Sequence, residues 1–93
     1  MNRSEAYRLL FEVLNEYRGF SYSELRDLVG VSEETTRQDA NDVAYLLDVS
    51  VHFDEGDEDA VVVSGTITPS AWGGPHDRID EEVVFYRNEF GPQ

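Results

Sequence analysis

Tyr22-Ser23-Glu24-Leu25-Arg26-Asp27-Leu28-Val29-Gly30-Val31-Ser32-Glu33-Glu34-Thr35-Thr36-Arg37-Gln38-Asp39 is the stretch from which the rest of the chain is read. Ser21, just ahead of it, and Glu24 have the spacing of a capping box, which predicts a short helix over 22–29 with Leu25, Leu28 and Val29 inward. Gly30 breaks the chain, and Val31-Ser32 leads into a further helix with Ser32 as its N-cap. Glu33 and Glu34 then fall in a first turn, where the helix dipole favours anions. Thr36, Ala40, Val43, Ala44 and Leu47 share one face at helical spacing, so this helix is expected to run to about 47.

On the N-terminal side, Ala6, Leu10, Val13, Leu14 and Tyr17 recur with a helical period, widened by Tyr7 and Phe11, and predict an amphipathic helix over 4–18. Asn2 or Ser4 can cap its start, and Gly19 supplies a stop. On the C-terminal side the period changes to two. Val49, Val51 and Phe53 alternate with Ser50 and His52, and a valine-rich run over 60–67 follows the polar turn at 54–59, giving a β-hairpin. Residues 68–75 hold two prolines, two glycines and Trp72, and read as a loop. In the last segment Ile79, Val83, Tyr86 and Phe90 fit a helix that starts behind Asp77 or Asp80. The run Val83-Val84-Phe85-Tyr86 favours a strand instead; the helix is the preferred reading.

Three helices followed by a hairpin is the order of a winged helix-turn-helix, an α+β, mainly α fold. Residues 22–39, with their Glu-Leu helix, Gly-Val-Ser turn and Thr-Thr-Arg-Gln-Asp sequence, resemble the DNA-reading segment of DeoR-type transcriptional regulators. The resemblance covers residues 5–65 and implies a recognition helix at about 33–47 lying in a major groove of double-stranded DNA. Thr35, Arg37, Gln38, Asn41 and Tyr45 would then face the DNA, with Gln38 and Asn41 suited to adenine edges. The chain departs from the family pattern at Thr36 and Ala40, where bulkier Ile and Leu are usual, and at Gln38, where a second Arg is usual. The hairpin turn, with Asp54, Glu55, Asp57, Glu58 and Asp59, would oppose phosphate rather than hold it.

Ninety-three residues suffice for one domain. Residues 1–67 are read as the winged helix and 68–93 as an appended loop and dimerisation element, pairing two chains through Ile79, Val83, Tyr86 and Phe90. The chain has no cysteine, which removes disulfides and thiolate sites. Its longest apolar run, Val43 to Leu47, is far short of the ~20 residues a membrane span needs. No zinc spacing or phosphate-cradling glycine loop is present, and the acidic turn lacks the alternating pattern of a calcium loop. His52 lies on the polar phase of a strand, and His76 beside Asp77 reads as a loop hydrogen bond rather than half of a triad. Trp72 reads as an anchor for its loop. The expectation is therefore a cytoplasmic, non-enzymatic regulator without metal, cofactor, small-molecule substrate or membrane contact. It would bind double-stranded DNA as a homodimer; the alternative is a protein–protein interaction module that binds no DNA.

Charge is the dominant compositional feature. Twenty acids face seven arginines and no lysine, for a formal net charge of −13. Residues 1–47 carry five arginines and nine acids, a net of −4, whereas 48–93 carry a net of −9. An acid-rich, lysine-free surface resembles proteins of haloarchaea, in which hydrated carboxylates keep the chain soluble in concentrated salt. At molar salt the Debye length falls to about 3 Å and self-repulsion is screened. The chain is therefore expected to fold marginally in dilute buffer and cooperatively in molar potassium chloride, with circular dichroism melts shifting upward along a salt series. A melting temperature indifferent to salt would remove the halophilic reading.

Overall fold

The computed structural model describes residues 3–70 and 78–87. Helix α1 (Arg3–Glu16) runs into a 3-10 turn (Tyr17–Gly19) and is followed by the short helix α2 (Tyr22–Asp27). Four strands come next: β1 (Ser32–Gln38), β2 (Ala44–Asp54), β3 (Asp57–Pro69) and β4 (Ile79–Tyr86). They form one antiparallel sheet in the order β1-β2-β3-β4. The chain is thus α+β with two helices and a four-stranded sheet, mainly β. The winged helix-turn-helix with three helices is overturned.

The error lies in the segment after Gly30. Residues 33–47, expected as one recognition helix, are β1, a five-residue turn and the start of β2. Two features of the sequence work against a helix there. Thr35 and Thr36 are β-branched, and Asp39-Ala40-Asn41-Asp42 is turn chemistry that the helical reading ran across. Asp39 organises that turn. Its carboxylate accepts the N–H of Asn41 at 2.8 Å and of Val43 at 3.0 Å, together with the hydroxyl of Tyr45 at 3.1 Å. Burial pushes the Asp39 carboxyl up, but those three donors and the charge of Arg8 outweigh it and hold it below the usual carboxylate range. Asp42 takes a left-handed φ of 62°, which Asp tolerates better than most residues.

The period of two that was read from Val49 begins earlier, at Tyr45. Tyr45, Leu47, Val49 and Val51 of β2 point to the same side as Val61, Val63 and Ile67 of β3 and Ile79 and Phe85 of β4. On that side they meet Ala6, Leu9, Leu10, Val13 and Leu14 of α1 and Tyr22 and Leu25 of α2. Each buried Leu or Val in such a core contributes about 1.5–3 kcal/mol. The strand propensity of Val83-Val84-Phe85-Tyr86 also prevails over the helical reading, because the exposed edge of β3 gives β4 a partner along its whole length.

The local signals around α2 are present as read. Ser21 Oγ accepts the Glu24 N–H, and Glu24 Oε1 accepts the Ser21 N–H, closing the capping box. Gly30, at φ +92°, turns the chain from α2 into β1. α1 lies across β3 and β4 and reaches the near part of β2. It can lie this close because β3 carries Gly65 beneath it: a Cβ at that position would stand 2.8 Å from Leu10 Cδ1 and 3.0 Å from Leu14 Cδ2. Both leucines are fully buried, so their methyls cannot swing out into solvent to make room. Gly65→Ala should therefore cost about 1–3 kcal/mol by overpacking, read as a lowered denaturation midpoint with an unchanged m-value. A neutral substitution would mean that α1 rides higher than described.

Candidate functional site

Because α1 sits over β3 and β4, the far side of the sheet's helical face is only partly covered. There the end of α1, the 3-10 turn, the end of α2 and strand β1 enclose a groove of about 420 Å³. Val49 and Val51 of β2 form its floor, Val13, Tyr17, Phe20 and Leu28 its helical wall, and Glu33, Thr35 and Arg37 its β1 wall. Glu33, Thr35 and Arg37 alternate along β1 and so point to the helical side, where β2 and β3 place apolar residues. Charged residues on the inward side of an outermost strand guard its free edge against indiscriminate pairing.

Two polar contacts cross the groove. The Tyr17 hydroxyl donates to Glu33 Oε2 at 3.2 Å, and Arg37 Nη2 donates to Glu16 Oε1 at 3.3 Å. Burial, then the Glu33 carboxylate as acceptor and charge, then Glu16, push the Tyr17 phenol up to about 12. The phenol is therefore a neutral donor at any physiological pH. The Arg37–Glu16 pair is well exposed and contributes little to stability.

The residues expected to face DNA do not share a surface. Thr35 and Arg37 line the groove, Gln38 lies on the opposite face at the end of β1, and Asn41 donates its N–H to Asp39 in the turn. Tyr45 is fully buried, held by Asp39, and cannot reach a ligand. The expected dimer stripe is split in the same way. Ile79 is buried in the domain's own core and Val83 packs against it, while Tyr86 is exposed on the other side of β4. Phe90, Trp72 and His76 lie outside the described residues.

Glu16, Tyr17 and Glu33 were not singled out by sequence reasoning, which placed Tyr17 in an apolar stripe and Glu33 in a helical turn. The available signal was the all-polar run over 32–38, which marks an edge strand once β1 is recognised.

The arginines are dispersed rather than gathered. Arg8 pairs with Glu5 and Glu12, Arg37 with Glu16, Arg78 with Asp80 at 3.0 Å and Arg87 with Asp59 at 3.9 Å. Arg18 lies 5.8 Å from the centre of the Phe85 ring, and Arg26 lies 5.9 Å from that of Phe53. On the open face of the sheet, His52 Nε2 is 3.0 Å from Ser64 Oγ and His52 Nδ1 is 3.2 Å from the Phe53 carbonyl. This contact is solvent-exposed and is read as a surface hydrogen bond rather than as a nucleophile with its base. The acidic β2–β3 turn is closed by its own side chains: Asp54 accepts the Gly56 N–H and Asp57 accepts the Asp59 N–H. Among the described residues no group of His, Asp or Glu is arranged to hold a metal ion, and no helix is long and apolar enough to cross a membrane.

No family model, curated protein or solved structure matches this chain.

The folded-state value of Tyr17 lies above the ordinary phenol value near 10, so its contribution to stability is complete below pH 10 and is lost as pH rises toward 12. An ultraviolet titration should show a tyrosine step near 12 that is lost in Tyr17→Phe and shifted downward in Glu33→Gln. Ionisation of Tyr17 with the ordinary phenols would mean that the groove is open to water at its base.

Proposed function

We propose that the chain is a protein-interaction module that holds a segment of a partner protein in the groove between β1 and the ends of α1 and α2. The observation that carries this reading is the composition of the groove. An apolar floor of Val49 and Val51 is bordered by Glu16, Glu33 and Arg37, so that one cavity offers both side-chain burial and polar orientation. This is how ligand sites are generally built. The proposed partner is protein rather than double-stranded DNA. The helix meant to enter a major groove is replaced by β1 and its turn, and six of the seven arginines already contact acids or aromatic rings. A net charge of −13 adds a long-range repulsion toward polyphosphate.

Thr35→Trp should fill the groove from the β1 wall without touching the central core. Twelve-residue peptides selected from a random displayed library on the wild-type chain are expected to lose at least tenfold in affinity for this variant. Far-ultraviolet circular dichroism would establish that the variant is folded. If the selection yields no binders, or binders indifferent to the plug, the groove is not the interaction site.

A further inference from the structure

The groove is bounded on its outer side by a strand with a free edge. Among the described residues β1 pairs only with β2, so its outward N–H and C=O groups have no strand partner. The seven residues of β1 carry their charge asymmetrically: Glu33 and Glu34 lie near its start, Arg37 near its end, and Arg37 is already met by Glu16. An extended segment lying antiparallel along this edge would place every second side chain on the groove side, beside Glu33, Thr35 and Arg37. The side chains between them would lie beside Glu34 and Thr36 on the open face. A second copy of this chain is a poor occupant: paired antiparallel in centred register it would set Glu33 opposite an Arg37 already held by Glu16 and Glu34 opposite Thr36, leaving the acidic pair without a free cation. A strand with basic residues is complementary to it.

Resting on the groove reading above, we infer that β1 accepts a basic, extended segment of a partner protein as a fifth strand. Two cationic side chains would lie opposite Glu33 and Glu34, and a β-branched apolar side chain opposite Thr35 would turn into the groove. Backbone pairing with β1 would supply affinity, and the acidic pair with the apolar pocket would supply selectivity and register. Glu33 and Glu34 find no free cation on an identical strand, where Arg37 is held by Glu16, and find two on a basic one.

The probe is the acetylated, amidated heptapeptide Thr-Val-Thr-Val-Arg-Arg-Thr, titrated into the full chain by calorimetry at the lowest salt concentration at which circular dichroism shows it folded, so that the charge pairs are screened least. In antiparallel register its two arginines face Glu34 and Glu33, and its second valine faces Thr35. It should bind about tenfold more tightly than the same peptide with glutamates in place of the arginines. Glu34→Arg, a change at an exposed position outside the core, should remove most of that preference. Methylating the peptide nitrogens at alternate residues separates strand addition from simple groove occupancy. One phase should abolish binding and the other should leave it nearly intact, because only alternate amides of an added strand face β1. Equal loss or equal retention in both phases overturns strand addition while the plug experiment still stands on its own. Equal binding of the arginine and glutamate peptides overturns the charge selectivity. Failure of the arginine peptide to bind overturns the inference even if displayed peptides of other composition fill the groove.

Discussion

The contact between α1 and Gly65 fixes the height and position of the helix, and most of the architecture depends on it. A helix with Leu10 and Leu14 pressed onto the backbone of β3 buries its stripe deeply, and the neighbouring strands must then supply side chains that fill the space to either side. Val61, Val63 and Ile67 flank the glycine along the same strand face, with Leu47 and Val49 of β2 beside them. A side chain at 65 would lift the helix, loosen that packing and change the distance from α1 to β1.

That same placement creates the groove. One helix of fourteen residues cannot cover four strands, and α2, at six residues, closes only one end of the sheet. β1 is left beside the helical layer rather than beneath it, so its inward side can be polar without burying an unpaired charge. Tyr17 and Glu16, at the end of α1 and the start of the 3-10 turn, are brought opposite Glu33 and Arg37 as a consequence of where the helix stops.

The acidic surface follows a related logic. Its carboxylates are spread over turns, strand edges and the open face of the sheet, with single arginines set among them in exposed pairs that contribute little stability one by one. Such a surface favours neither self-association nor nucleic acid at low ionic strength. In the proposed reading, backbone pairing and a small apolar pocket are what hold the partner.

Much of the local structure was legible in the sequence. The stripe of α1, the Ser21–Glu24 capping box, the turn at Gly30 and the hairpin of β2 and β3 all rest on interactions between residues close together in the chain. The segment 33–47 was not legible in that way. Thr36, Ala40, Val43, Ala44 and Leu47 satisfy a helical period, while Tyr45, Leu47, Val49 and Val51 satisfy a strand period, and both patterns share residues. A helix satisfies its own hydrogen bonds, but a strand needs a partner. Only the tertiary structure, which sets Ile67, Gly65, Val63 and Val61 beside β2 and α1 above them, makes the extended form the one that buries Tyr45 and Leu47. The groove was hidden for the same reason: Glu16, Tyr17, Glu33 and Arg37 come from elements whose proximity exists only once the sheet has formed.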